Sequence, residues 1–223
     1  VYKRQLRMKS MANLSVDELL ELIGKCTDQR MFAMYEAIAR GVTLEKLHEI
    51  TKIDYFFLHK YLNLYNMECR LKEGNIDAET YLRAKKMGYP DKAIERLSGE
   101  KVPMHRDPVY KMVDTCAAEF AAETPYFYAT YDDENEAKEF LDERPKKPCV
   151  VVLGSGPIRI GQGIEFDYAS VHCVWMLKQA GYDVVMINNN PETVSTDFDT
   201  ADRLYFEPLT AEDVLGAVSY THL

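Results

Sequence analysis

A glycine-rich loop after a short apolar run holds the residues of this chain best suited to chemistry. The run, residues 150–153, predicts a buried strand, and the loop opens with Gly154 and Gly156. A strand, a glycine loop and a helix begin the nucleotide-type α/β unit, in which backbone amides and a helix N-terminus converge on one spot. Such a spot attracts anions. The loop then carries Arg159, Gly161 and Gly163, and Glu165 follows in the first turn of the predicted helix.

The loop departs from the dinucleotide-binding fingerprint. The pattern G-x-G-x-x-G requires a third glycine where this chain has Arg159, and Gly161 and Gly163 come too late. Enzymes that bind NAD also carry an acidic residue at the end of the second strand, for the ribose hydroxyls. This chain has three asparagines there, at residues 188–190. NAD binding is therefore disfavoured.

The segment 188–197, Asn-Asn-Asn-Pro-Glu-Thr-Val-Ser-Thr-Asp, holds the second group of candidate residues. In one interpretation its side chains hydrogen-bond their own backbone and shape the crevice without touching a ligand. In the other, five side chains line the substrate end of the sheet. These are Asn190, Glu192, Thr193, Ser195 and Thr196.

The elements that must position these residues follow a β-α-β-β-α pattern. Strands that alternate with helices predict a parallel sheet. The predicted elements are a strand at 150–153, a helix at 165–180, strands at 183–188 and 203–206, and a helix that starts at Thr210. The proline-rich residues 145–148 predict a linker, and we expect the domain boundary there.

The first half of the chain predicts a series of helices instead. Ser15 and Glu18 form a capping box, and Gly41 is a C-terminal glycine for the second helix. Pro108 suits the first turn of a further helix to about residue 123. No β alternation of useful length is visible before residue 120.

Composition excludes several classes of protein. The net charge of −9 opposes binding to nucleic acid or to an anionic membrane, and the helix-turn-helix-like residues 43–62 carry few positive charges. No apolar run is long enough to cross a membrane, and no secretory signal is visible. The five cysteines are scattered, which is typical of reduced thiols in a cytoplasmic protein. The histidines show no metal-ligand spacing, so we assign no catalytic or metal-binding residue.

Longer strings resemble one family. Residues 154–168, Gly-Ser-Gly-Pro-Ile-Arg-Ile-Gly-Gln-Gly-Ile-Glu-Phe-Asp-Tyr, are similar to the start of the second synthetase half of the carbamoyl phosphate synthetase large subunit. Residues 188–197 resemble the family's N-x-N-P-E-T-V-S-T-D element, which 202–208 continue. Three upstream segments resemble the helical oligomerisation domain of that subunit, at residues 31–37, 116–120 and 124–126. The resemblance is collinear over residues 12–217.

This resemblance implies an α + α/β fold: an all-helical oligomerisation domain, then an incomplete Rossmann-like (pre-ATP-grasp) domain with a parallel sheet. It implies domain limits of 6–147 and 148–217. Residues 1–5 and 218–223 can be encoded by DNA sequences that are largely complementary to each other, so we expect both tails to derive from a sequencing adapter. The natural part is then a central fragment, and we expect it to be inactive alone.

The resemblance also implies an activity. The family's large subunit makes carbamoyl phosphate from bicarbonate and ammonia in two ATP-using halves, for pyrimidine and arginine biosynthesis. ATP, Mg²⁺ (or Mn²⁺) and K⁺ assist in the full-length enzyme, and we expect none to bind within this fragment. The implied partners are a glutaminase small subunit or domain, which releases ammonia from glutamine, and further copies of the large subunit.

By position, Arg159, Gly163 and Glu165 match residues that line the family's carbamate tunnel. A glycine leaves room for a small anion, and an arginine pairs with a carboxylate-like species. The simpler alternative is that Arg159 and Glu165 pair with each other as loop structure. For the whole chain, the alternative is a standalone helical interaction module with a Rossmann-like ligand-binding domain, regulatory or dinucleotide-binding.

Overall fold

The computed structural model of the chain describes residues 7–121, 124–138, 147–157 and 167–221. The chain divides into two compact units, Val1–Met104 and His105–Leu223. The division lies upstream of the linker at 145–148 where the sequence places the boundary. It does so because two strands between residues 105 and 130 join the sheet of the second unit.

The first unit is helical throughout its described elements. Its helices are α1 (Lys9–Ala12), α2 (Val16–Gly24), α3 (Arg30–Ala39), α4 (Leu44–Thr51), α5 (Tyr55–Lys72), α6 (Ala78–Lys86) and α7 (Asp91–Ser98). The predicted capping box is confirmed: the backbone N–H of Glu18 donates to Ser15 Oγ, and Ser15 N–H donates to the Glu18 carboxylate. Gly41, at φ +86°, follows α3 as predicted.

Two apolar clusters hold these helices together. Leu19 and Ile23 of α2 pack with α3 and Leu47 of α4 in one cluster. In the other, Leu71 at the end of α5 packs with Tyr81 of α6 and Ile94 of α7. Helical spacing of the apolar residues directs each buried face toward its neighbour.

The second unit is built on a five-stranded sheet in the order β1-β2-β5-β4-β3. Its elements are β1 (Val109–Met112), β2 (Tyr126–Thr130), β3 (Cys149–Leu153), α8 (Tyr168–Gln179), β4 (Asp183–Asn188), β5 (Arg203–Phe206) and α9 (Ala211–Thr221). The β3–β4, β4–β5 and β5–β2 pairs are parallel, whereas β1 and β2 are antiparallel. The predicted β-α-β-β-α order is confirmed.

Helices cover both faces of this sheet. Val184 and Met186 of β4 face Val174 of α8, whereas Val185 and Ile187 face the cluster that includes Ala217 of α9. Successive side chains of a strand point to opposite faces, so a strand covered on both sides is apolar throughout. The Val-Val-Met-Ile sequence of β4 meets this requirement.

The helix expected from Pro108 to about residue 123 is wrong, and so is the expectation of no strand before residue 120. Residues Val109–Met112 form β1, whose Tyr110 is opposite Ala129 of β2. Tyr110 is buried, with its ring 4.9 Å from that of Tyr205 and perpendicular to it. Burial of this aromatic side chain against the sheet outweighs the weak helical preference of a proline start.

Candidate functional site at the carboxyl edge of the sheet

The carboxyl ends of three neighbouring parallel strands meet at one edge of the sheet. Gly154 follows β3, and Asn188 is the last residue of β4. The backbone N–H of Gly154 donates a hydrogen bond of 2.8 Å to the Ile187 carbonyl, so the glycine loop leaves the sheet beside β4. In open α/β sheets, ligands bind in the crevice at this edge.

Asn188 joins the two segments that leave this edge. Its side chain is buried, and its Oδ1 accepts hydrogen bonds from the backbone N–H groups of Gly156 (3.2 Å) and Asn190 (3.3 Å). Its Nδ2 donates to Ser195 Oγ at 3.3 Å. One amide side chain therefore fixes the glycine loop and the 188–197 segment relative to each other.

The close approach of this amide explains the first glycine of the loop. A Cβ at Gly154 would lie 2.5 Å from Cγ and Nδ2 of Asn188, a separation that real structures do not show. Gly156 is required for a different reason, because its φ is +75°. Both glycines thus serve the geometry of the edge.

A buried carboxylate lies beside the amide. Asp167, 3% exposed, precedes α8, yet its side chain makes no capping bond to that helix. Its Oδ2 instead accepts hydrogen bonds from Thr193 Oγ1 and, at 2.7 Å, from the backbone N–H of Ser195. Its Oδ1 is buried and has no hydrogen-bond partner within the described ranges. This oxygen is therefore a buried acceptor next to the carboxyl edge of the sheet.

Tyr126 of β2 supports the same segment from the other side. Its hydroxyl donates to the Thr196 carbonyl at 2.8 Å, and its ring packs edge-on against that of Phe206. Burial raises the pKa of the Tyr126 phenol, and the nearby carboxylates of Asp197 and Asp199 raise it further. The phenol therefore remains a hydrogen-bond donor at neutral pH.

Two family comparisons match this chain, in the same order as its two units. Residues 2–112 match the sequence model described as the carbamoyl-phosphate synthetase large chain oligomerisation domain. Residues 146–222 match the one described as the carbamoyl phosphate synthase pre-ATP-grasp domain. The chain belongs to the carbamoyl phosphate synthetase large-chain family. Its fold is the expected α + α/β arrangement, a helical oligomerisation domain followed by a pre-ATP-grasp domain.

The structure brings most of the described candidate residues of this synthetase chain together. Thr193, Ser195 and Thr196 belong to the segment bound by Asp167 and Tyr126, and Asn190 Oδ1 accepts from the Glu192 N–H at 3.1 Å. The Glu192 side chain is exposed. These hydrogen bonds are those expected if the side chains of residues 188–197 shape their own turn. Contact between this segment and a substrate stays a prediction. Four candidates lie outside the described residues: Arg159, Gly161, Gly163 and Glu165.

Three residues important to this edge were not predicted as site residues: Asp167, Asn188 and Tyr126. The helix predicted at 165–180 places Asp167 in its first turn, where an acidic side chain is ordinary. Its actual partners are 26 and 28 positions away along the chain. For Asn188 a signal existed, because an asparagine that ends an apolar strand beside a glycine loop is a buried polar group that needs partners.

Carbamoyl phosphate synthetases use ATP and divalent metal ions. The residues at the carboxyl edge of the sheet can therefore be compared with what a metal ion or a nucleotide requires. Mg²⁺ prefers octahedral oxygen ligands from carboxylates and phosphates. Among the residues that the structure describes, no three His, Cys, Asp or Glu side chains are grouped so as to hold a metal ion. The single carboxylate of Asp167 does not form such a set, so we derive no step through a metal or a nucleotide. Within the same residues, no helix combines the length and apolar character needed to span a membrane.

Proposed function

We propose that this chain acts within glutamine-dependent carbamoyl phosphate synthesis, as part of a cytoplasmic large subunit that supplies pyrimidine and arginine biosynthesis. The collinear match of two large-chain domains is the observation that carries the proposal. In that setting ATP, Mg²⁺ and K⁺ act elsewhere in the full-length enzyme, and a glutaminase partner supplies ammonia. The domain limits of 6–147 and 148–217, with foreign tails at 1–5 and 218–223, are part of this proposal.

We assign the carboxyl edge of the sheet to the carbamate path. The support is the bonding of Asn188 and Asp167, which holds residues 193–196 in one arrangement beside the glycine loop. A path for a small, unstable anion requires fixed walls that exclude bulk water. In the proposal, the charged and small residues of that wall are Arg159, Gly163 and Glu165, which lie between Gly156 and Asp167 in the sequence.

A chimaera tests this function directly. Residues 12–217 replace the corresponding segment of a complete carbamoyl phosphate synthetase large subunit, and carbamoyl phosphate formation is measured with glutamine, bicarbonate and ATP. We expect the chimaera to be active and the purified chain alone to form no carbamoyl phosphate. An inactive chimaera that is folded and binds its small subunit would contradict the proposal.

The tunnel assignment has its own test in the chimaera. Gly163→Tyr is expected to leave bicarbonate-dependent ATP hydrolysis intact while carbamoyl phosphate output falls at least about tenfold, because the bulky side chain blocks the path. Gly163→Ala is the matched control and should retain most coupling. Equal loss of both activities in Gly163→Tyr would contradict a tunnel role.

We further propose that the helical unit mediates association with other copies of the large subunit. The support is an exposed aromatic group at the start of α5, where Phe56 and Phe57 are 59% and 56% exposed. Exposed aromatic groups of this kind mark association surfaces. Sedimentation of the full chain should show self-association that Phe56→Ser with Phe57→Ser weakens. Met31→Ser, at another exposed apolar position, is the control. A monomeric wild-type chain at high concentration would contradict this assignment.

A further inference from the structure

A polar groove lies between α5 and α6 in the helical unit, well separated in sequence from the glycine loop. Its cavity has a volume of about 200 Å³. Helix α5 contributes four residues at positions i, i+3, i+4 and i+7, which share one helix face. Helix α6 contributes two residues spaced i, i+3. The lining residues are Asn63, Asn66, Met67, Arg70, Thr80 and Arg83.

The chemistry of this groove is that of an anion site. Two guanidinium groups approach it from different helices, at Arg70 and Arg83, and the amides of Asn63 and Asn66 add further N–H donors. Met67 is buried and forms an apolar base. The lining contains no carboxylate. Arg70 is near the carboxylates of Glu73 and Asp77, which lie outside the lining, and a bound anion would offset the positive charge of the two guanidinium groups.

Arg70 is already held in place. Its Nη1 donates to the Gly74 carbonyl at 3.1 Å and its Nη2 to the Asn75 carbonyl at 3.4 Å, beyond the end of α5. Glu73 lies 3.7 Å from Nη1, but its side chain is 69% exposed and the pair is correspondingly weak. The remaining N–H groups of Arg70 are available to a ligand. Arg83 makes no ion pair or side-chain hydrogen bond with any residue in the described part of the chain.

We propose that this groove binds a small molecule bearing a phosphate group. The volume of about 200 Å³ leaves room for a small anion. Phosphate offers three or four acceptor oxygens in a tetrahedral arrangement, whereas a carboxylate offers two in one plane. The donors here approach from two helices and include two guanidiniums, two amides and the Thr80 hydroxyl. That number and spread match phosphate better than carboxylate.

The test uses the full chain, labelled with ¹⁵N, and inorganic phosphate as the probe. Side-chain signals of Asn63, Asn66 and the arginine Nε groups are followed by NMR at constant ionic strength, with sodium chloride as the balancing salt. Acetate is titrated in parallel. Arg83→Gln removes one guanidinium, and Lys92→Gln removes an equal charge from an exposed residue of α7 that does not line the groove.

We expect saturable shifts confined to the groove with phosphate, at least about tenfold weaker binding in Arg83→Gln, and unchanged binding in Lys92→Gln. Because Arg83 is exposed, we expect Arg83→Gln to fold normally. The dispersion of its ¹⁵N NMR spectrum checks this independently of phosphate binding. Three results would overturn the proposal: shifts that never saturate, equal weakening in both variants, or acetate binding as tight as phosphate. None of these results bears on the synthetase assignment, which rests on other residues.

Discussion

The backbone N–H of Ser195 donates a hydrogen bond of 2.7 Å to Oδ2 of Asp167, a buried carboxylate 28 positions earlier in the chain. Thr193 Oγ1 donates to the same oxygen. The start of α8 is thereby joined to the short 3₁₀ turn Val194–Thr196. Together with the Asn188 amide, the Asp167 side chain holds the segments that leave the carboxyl edge.

Asp167→Ala is expected to lower the free energy of unfolding of the sheet unit by about 2–3 kcal/mol. The substitution leaves a buried N–H and a hydroxyl without their acceptor, and the desolvation cost of such groups is of this size. Trp175, the one tryptophan of the chain, lies in α8 and reports on this unit by fluorescence during urea unfolding.

Two further variants sharpen this measurement. Asp167→Asn keeps an oxygen acceptor and should cost about 1 kcal/mol. Asp199→Ala removes an exposed carboxylate of the following segment and should change stability by less than about 0.5 kcal/mol. Equal effects of Asp167→Ala and Asp199→Ala would show that the carboxylate does not organise the edge.

A second prediction concerns Gly154. In Gly154→Ala the new Cβ meets Asn188 at 2.5 Å, so the amide must move and loses its bonds to Gly156 and Ser195. Overpacking of this kind costs about 1–3 kcal/mol. Gly181→Ala is the comparison, because its added Cβ meets nothing within 4 Å and its cost of about 1 kcal/mol is purely conformational, from φ +89°.

Urea unfolding of both glycine variants, again followed at Trp175, separates the two causes. The side-chain amide signal of Asn188 in an NMR spectrum should shift strongly in Gly154→Ala and hardly at all in Gly181→Ala. An unshifted Asn188 signal in Gly154→Ala would mean that the close approach is relieved by backbone movement instead.

Local chemistry explains which elements the sequence predicts well. Thr43, Asp54 and Asp77 each precede a helix and accept a hydrogen bond from a backbone N–H in its first turn. Such caps depend on residues two or three positions apart, so they can be predicted from the sequence without knowledge of the fold. The central residues of β3 and β4, 150–153 and 184–187, are apolar because helices cover both faces of the sheet. Such an apolar run is also visible in the sequence alone.

The elements that the sequence does not predict depend on distant partners. β1 has four residues, and its place is set by pairing with β2 and by the contact of Tyr110 with Tyr205. The role of Asp167 likewise depends on Thr193 and Ser195. Spacing along the chain shows neither relationship, since both form only when the sheet is assembled.

Alkaline pH is expected to destabilise the sheet unit. Burial raises the pKa of Tyr205 to about 12, against the opposing effect of the Arg203 guanidinium, and burial also raises the pKa of Tyr110. A tyrosine in the unfolded chain titrates near 10. Below pH 10 both states keep the proton, whereas between about pH 10 and 12 the unfolded state loses it first, so stability falls as pH rises.

Tyr205→Phe should remove the part of this dependence that comes from Tyr205 and leave the part that comes from Tyr110. We expect the wild-type chain to lose on the order of 2 kcal/mol or more between pH 9 and pH 11.5, and the variant to lose clearly less. Tyr168→Phe, at a side chain that is 64% exposed in α8, is the control and should follow the wild type. Identical pH profiles for Tyr205→Phe and the wild type would contradict the assignment to Tyr205.

The stability of the helical unit depends on the carboxylate of Asp91, which forms a buried ion pair with Lys85. Lys85 Nζ and the Tyr81 hydroxyl each donate to Asp91 Oδ1 at 2.9 Å, and the Lys85 side chain is 1% exposed. Removing one partner of a buried pair commonly costs about 3–5 kcal/mol, because the other charge stays in a poorly solvated site. We therefore expect Asp91→Ala to destabilise this unit by about 3 kcal/mol.

Amide hydrogen exchange read by mass spectrometry localises this effect, since faster exchange should appear in peptides from α6 and α7. Lys85→Met combined with Asp91→Ala removes both charges and should recover part of the loss, because no charge then remains in a poorly solvated site. Asp17→Ala, at an exposed acid in the first turn of α2, should leave exchange in α6 and α7 unchanged. If the double variant is no more stable than Asp91→Ala, the cost arises from lost packing or from the first turn of α7 and not from the buried charge of Lys85.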